Sequence, residues 1–176
     1  MKIVAVDWGD INKVNLVKLM INEMYGFEYE TREVDQIQNA INQGLEVYNL
    51  AFDADICVGF SGATINDKDN ATIEYIYVKK SNRGIVFAYN LIIDLVKQLI
   101  ACEVKKAKMQ VQTYNKQRFL HYALSDKNII EQVALERNGE KYLDQILLIE
   151  DIESVLRLSI REFMIKASQY KKEENK

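Results

Sequence analysis

The segment from Ala71 to Leu91, ATIEYIYVKKSNRGIVFAYNL, passes from an alternating strand through a short basic turn into an amphipathic helix, with Arg83 and Gly84 at the corner. Apolar spacing changes there from a period of two to a helical one. A strand that stops just before a helix start leaves several backbone N–H groups without intrahelical partners, pointing one way, with the positive end of the helix dipole behind them. The segment therefore reads as a cradle for a phosphate-bearing ligand.

Composition limits what surrounds that cradle. A chain of 176 residues, 48% apolar and 28% charged, suits one domain that buries about 70% of its unfolded surface. A net charge of −3 argues against a partner held mainly through nucleic-acid phosphates, which calls for a basic excess. Lys79, Lys80 and Arg83 are a local patch. Cys57 and Cys102 lie in apolar stretches with no Cys-x-x-Cys or histidine pairing around them, so both read as buried thiols in a reducing cytoplasm, and no metal site is expected. Asp7 comes too early for a signal peptide, and no apolar run approaches the ~18 residues of a membrane span. The expected setting is cytoplasmic, without membrane contact.

Along the chain, Lys2 to Val6 is a short strand, and Asp10 offers an N-cap to a helix with Ile11, Val14, Val17, Ile21 and Met24 on one stripe, stopped by Gly26. A second helix spans Val34 to Asn42. Strands Glu46 to Phe52 and Ile56 to Ile65 are joined by a hairpin turn through Asp53, Ala54 and Asp55. After the polar loop Asn66 to Asn70 come the strand Thr72 to Val78 and a helix from about Gly84 to Cys102. Its apolar arc of Ala88, Leu91, Leu95 and Leu99 is widened by Ile92, Ile93, Val96 and Ile100, a breadth expected of burial on more than one side. Then follow a strand Lys108 to Thr113, a short helix Lys116 to Leu124, a strand Ile129 to Leu135, and a hairpin at Asn138 and Gly139 into Tyr142 to Ile149. A last helix, Asp151 to Tyr170, carries Ile152, Val155, Leu156, Ile160, Phe163 and Ala167 in one stripe. The expected fold is α/β, a mixed, mostly antiparallel sheet with helices on both faces. Residues 1–150 form the main domain, 151–170 an added helix that packs on it or on a second copy in a homodimer, and 171–176 a charged tail.

Over residues 1–150 the chain resembles the GNAT superfamily of acyl-CoA-dependent N-acyltransferases. That family has a strand ending in valine, a short turn, then Arg-Gly-x-Gly-x-Gly/Ala opening a helix; here the run is Val78, a turn, Arg83, Gly84, Ile85, Val86, Phe87 and Ala88. Glu74 stands four positions before that valine, as is frequent in the family's fourth strand. Asn115 and Tyr122, seven apart after the next strand, match the family's spacing for a cofactor-binding asparagine and a tyrosine acid. Asp55 to Phe60 looks like its third strand. One position departs: Val86 puts a β-branched side chain where the family's first loop glycine lets backbone approach a pyrophosphate.

The resemblance implies acetyl transfer from acetyl-CoA to a primary amine, on a small molecule, peptide or protein, without a metal. Backbone groups of Ile76 and Val78 would hold the pantetheine arm like an added strand, the amides of Gly84, Ile85, Val86, Phe87 and Ala88 would take the pyrophosphate, and Asn115 would hold the cofactor from the next strand. Lys79, Lys80 and Arg83 would add charge attraction. Glu74 would act as base, and Tyr122 as proton donor to the departing thiolate. Strict alternation places Glu74 on the face of Ile76 and Val78, where burial would raise its pKa. Tyr25, Phe27, Tyr29 and Glu131 are candidates for an acceptor pocket, although such aromatics more often serve as packing. His121, next to Tyr122 and so about 100° from it on a helix, reads as structural. The alternative, drawn from Val86 and the added helix, is a degenerate GNAT fold kept as a binding or interaction module.

Overall fold

The computed structural model describes residues 2–26, 32–83, 85–112, 129–137 and 140–148. Their elements in chain order are β1 (Lys2–Ala5), α1 (Ile11–Tyr25), α2 (Val34–Asn42), β2 (Glu46–Asp53), β3 (Ile56–Ile65), β4 (Asn70–Val78), a 3-10 turn (Lys80–Asn82), α3 (Ile85–Ala101), β5 (Lys106–Gln112), β6 (Ile129–Arg137) and β7 (Glu140–Leu148). The strands make one sheet in the order β1-β2-β3-β4-β5-β7-β6. Every neighbouring pair is antiparallel except β4 with β5.

Local chemistry sets the boundaries. Asp10 Oδ1 accepts the Lys13 N–H at 3.1 Å and opens α1, and Gly26 ends it at φ 85, a conformation that only glycine adopts readily. Glu33 and Gln36 form a capping box at the start of α2. The β2–β3 hairpin closes as expected, with Asp53 paired to Ile56 and Ala54 at φ 51 in the turn. Arg137 pairs with Glu140, so the second hairpin is present; the conformation at 138–139 lies outside the described residues, as do the expected helices at 116–124 and 151–170 and the charged tail.

Two helical layers cover the sheet. On one face α3 buries Leu91, Ile92, Leu95, Val96 and Leu99 against Ala63, Ala71, Ile73 and Ala107. On the other, α1 and α2 bury Val14, Val17, Met20, Ile21 and Ile37 against Tyr48, Leu50 and Phe60. Both apolar stripes are narrower than expected, since Ile11 is 44% and Ile100 37% exposed.

Two expectations need correction. Cys102 is exposed, whereas Cys57 is buried. The helix ends at Ala101, and Cys102 donates its N–H to the Gln98 carbonyl in the closing turn, so the residue leaves the buried stripe. The second concerns β4. Gly62 pairs with Tyr75 and Ala63 with Ile73, which leaves Glu74 as an extra residue in a β-bulge. One inserted residue reverses the parity of everything after it. Ala71 and Ile73 face α3 before the bulge, Ile76 and Val78 face it after, and Tyr75 and Tyr77 turn to the α1/α2 side. Glu74 is exposed and does not share the buried face of Ile76 and Val78.

Candidate active site

The parallel pairing of β4 and β5 is short. Asn70, Ala71, Thr72 and Ile73 pair with Lys106, Ala107, Lys108 and Met109, and beyond Ile73 and Met109 the described strands no longer pair. The bulge at Glu74 falls where pairing ends, consistent with the added twist that a bulge gives its strand. Meanwhile β5 turns to pair along its whole length with β7. The result is a wedge in the middle of the sheet, open toward the carboxyl ends of both strands.

The ladder to β3 fixes what that wedge presents. Lys79 donates its N–H to the Val58 carbonyl, and hydrogen bonding alternates along an antiparallel pair, so Tyr75 and Tyr77 direct their backbone groups to β3 while Ile76 and Val78 direct theirs toward β5. These backbone groups can receive an extended ligand as an added strand. Gly59 supports this arrangement from behind: a Cβ there would stand 2.6 Å from the Tyr77 carbonyl oxygen.

The basic turn follows directly. Arg83 folds back and donates from Nε to the Val78 carbonyl at 3.4 Å, tying the end of β4 to the start of α3. Phe87 and Ala88 pack into the core from the first turn of that helix. Lys80 is exposed. Lys79 departs from expectation, because its Nζ lies 3.2 Å from Glu23 Oε2, and Glu23 Oε1 also accepts the Tyr77 hydroxyl at 3.1 Å. Tyr77 points to the α1/α2 side and draws that contact with it, so Lys79 clasps α1 instead of facing the turn.

Past the bulge, the α1/α2 face of β4 is aromatic. Tyr75 stacks on Phe60 with ring centres 5.4 Å apart and on Tyr48 at 6.1 Å, and Tyr25, 49% exposed, meets it edge-on at 6.4 Å. Burial, then the Glu74 charge, raises the pKa of both Tyr25 and Tyr75. Deeper in, Glu46 is buried and bridges Arg32 to the Tyr48 hydroxyl. Burial, then the Glu46 charge, pushes the Tyr48 pKa up.

Searches across known proteins find no family model and no curated sequence that matches this chain. Solved structures do match. An aminoglycoside 6'-N-acetyltransferase complexed with coenzyme A superposes with TM-score 0.64 at 15% identity over 85% of this chain and 97% of that one. The spermidine/spermine N-acetyltransferase SpeG from Vibrio cholerae gives 0.62 at 16% over 87% and 95%, and the ribosomal-protein-alanine N-acetyltransferase from Brucella melitensis 0.60 at 12% over 84% and 99%. The chain has the GNAT fold.

Of the residues that the GNAT resemblance nominates, Ile76, Val78 and Arg83 meet at the wedge, with Phe87 and Ala88 opening α3 beside it. Glu74 stands at the wedge's apex. Gly84, Asn115, Tyr122, His121, Phe27 and Tyr29 lie outside the described residues, as do the side chains of Ile85, Val86 and Glu131. Sequence reading missed Glu23, Arg32, Glu46, Tyr48 and Tyr75. Glu46 carried a signal: it shares the parity of Tyr48 and Leu50 on β2, where a carboxylate in phase with a buried stripe requires a partner.

Proposed function

We propose that this chain is an N-acetyltransferase that moves an acetyl group from acetyl-CoA to a primary amine, in a reducing cytoplasmic setting that suits its two free cysteines. The observation that carries the reading is the early end of β4–β5 pairing, which leaves the Ile76 backbone groups and the Val78 N–H directed toward the wedge to hold a pantetheine arm, while the Val78 carbonyl already accepts from Arg83. The structural neighbour complexed with coenzyme A supports the same ligand. The amides of Gly84, Ile85, Val86, Phe87 and Ala88 take the pyrophosphate, Arg83 contributes charge, and Asn115 holds the cofactor.

In the reaction the amine nitrogen attacks the thioester carbonyl, the C–S bond breaks as the amide forms, and the amine proton leaves to Glu74. Glu74 is exposed, so a water relay suits it. Its burden depends on the acceptor: making a lysine-type amine neutral at pH 7 costs about 4–5 kcal/mol, an α-amine only ~1 kcal/mol. Tyr122 donates a proton or a hydrogen bond to the departing thiolate. The segment 151–170, expected from its sequence to be an amphipathic helix, would cover its apolar stripe on the domain or in a homodimer, which light scattering of the full chain and of a version ending at Glu150 distinguishes.

The second reading, a degenerate GNAT fold used for binding, draws on Val86 and on the loss of Lys79 to Glu23. Calorimetry with acetyl-CoA decides between them. Binding in the micromolar range, tightened by Val86→Gly, supports transfer; no heat at millimolar ligand in either protein favours the binding module.

A further inference from the structure

The aliphatic stripe of α3 repeats itself. Leu91, Leu95 and Leu99 recur every four residues, Ile92 and Val96 follow the same step, and all five are buried. A helical turn takes about 3.6 residues and 5.4 Å. A helix displaced along its axis by one turn would therefore set Leu95 where Leu91 stands, or Leu91 where Leu95 stands, with similar apolar burial. Such burial is non-directional, so the stripe by itself leaves the axial placement of α3 weakly specified.

Two buried polar residues of the sheet face that stripe. Asn49 on β2 and Ser61 on β3 pair across the strands and are 1% and 0% exposed. Ser61 Oγ donates to the Leu91 carbonyl at 3.1 Å; carbonyls recur at every residue of a helix, so this bond holds α3 to the sheet without selecting one placement. Gln98 does select. Its Nε2 donates to Asn49 Oδ1 at 2.7 Å, whereas four residues to either side stand Asp94 and Cys102. A slide of one turn would bring to Asn49 either the Asp94 carboxylate, now paired with Lys97 at 3.0 Å and costly to bury, or Cys102, a weak hydrogen-bonding group. The pair is kept at a cost in stability. Among the described residues Asn49 Nδ2 has no hydrogen-bond partner, and two apolar side chains would leave no such group unpaired.

We propose that Asn49 and Gln98 are positioning residues that fix the axial register of α3 on the sheet, and with it the height of the helix's N-terminal amides against the end of β4. A buried polar pair that sets register while lowering stability has its parallel in coiled coils. The link to the cradle is short: Phe87 and Ala88, in the first turn of α3, pack with Leu91 and Val78 in one cluster. Gly59 seats Leu91 there, since a Cβ at Gly59 would stand 3.4 Å from Leu91 Cδ1, so a displaced Leu91 carries the amides past Val78. The role at the cradle rests on the acetyl-transfer reading; the register does not.

The test replaces both partners in the full chain by apolar residues, Asn49→Val with Gln98→Met, and reads the seat of Leu91 from nuclear magnetic resonance contacts between its methyl groups and Gly59. The parent gives one set of signals, with Leu91 on Gly59. The double variant withstands as much urea as the parent or more, yet gives more than one set and binds acetyl-CoA about tenfold more weakly, the equivalent of one charge-assisted hydrogen bond. Gln98→Met alone strands the Asn49 amide and lowers the folding equilibrium constant about tenfold. A single set in the double variant with Leu91 still on Gly59 overturns the register role, as does a double variant less stable than Gln98→Met alone or unable to fold. Several sets with undiminished acetyl-CoA affinity overturn the link to the cradle. Absence of acetyl-CoA binding in the parent removes the transfer reading, and the Leu91 signals then decide the register by themselves.

Discussion

The two faces of the sheet are built from different materials. Against α3 the packing is mostly aliphatic, with Leu91, Leu95 and Leu99 fully buried and Tyr89 and Phe87 the aromatic exceptions, and its polar exceptions are internal: Ser61 donates to the Leu91 carbonyl at 3.1 Å, and Gln98 donates to Asn49 at 2.7 Å. Against α1 and α2 the packing is aromatic, from Tyr48 through Phe60 and Tyr75 to Tyr77, and acids and cations are threaded through it. Aliphatic packing is non-directional and fixes the sheet's position. Aromatic rings with hydroxyls must also satisfy geometry and hydrogen bonds, which makes that face the more selective one and places it beside the wedge.

The sharpest way to break this contrast is to remove bulk from each side. Leu95→Ala, on the α3 face, should lower unfolding free energy by about 2–5 kcal/mol through transfer and cavity effects, measured by urea denaturation. A loss no larger than that of a surface change would mean that α3 is not the anchor described here.

On the other face a buried polar group also contributes. Glu46→Ala strands the Tyr48 hydroxyl and the Arg32 guanidinium, for a loss of about 1–3 kcal/mol. Arg32 is part-exposed and water replaces some of its partner, which keeps this loss below that of Leu95→Ala. Gly62→Ala is expected to cost about 1–2 kcal/mol by displacing the Tyr48 and Tyr75 rings. Near-ultraviolet circular dichroism should change for Gly62→Ala and stay native for Leu95→Ala variants that remain folded; the opposite pattern would place the ordered aromatics elsewhere.

Alkaline pH tests the aromatic face by itself. Tyr48 and Tyr75 have pKa values raised above the ordinary 10.0, first by burial. The unfolded chain therefore releases those protons first, and stability that is full below pH 10 falls as pH rises through and beyond it. Ultraviolet titration should find these phenols ionising together with unfolding; free, reversible ionisation near pH 10 in the folded chain would show them solvated. The smallest effect is expected from Lys79→Met, which breaks a half-exposed pair with Glu23 worth about 0–1 kcal/mol.

Much of this was legible locally. Asp10 capped α1, the Asp53 to Asp55 turn closed its hairpin, and the β4–turn–α3 corner was visible because period, turn chemistry and helix start are written in neighbouring residues. Glu74 was misread because alternation cannot reveal a bulge: the extra residue is defined by how β3 meets β4, through Gly62 and Ala63, and not by anything within β4. Cys102 was misread because the apolar stripe does not say on which residue the helix closes.

Sequence alone determined where the described strands and helices lie to within a few residues, and that β4 turns directly into α3, since these depend on interactions a few residues apart. Tertiary structure alone decided which way each side chain faces past the bulge, that Lys79 serves Glu23, and that Arg32 and Tyr48 meet at Glu46. Each of those outcomes depends on two or more segments meeting in space, and one residue of register moves a side chain from one face of the sheet to the other.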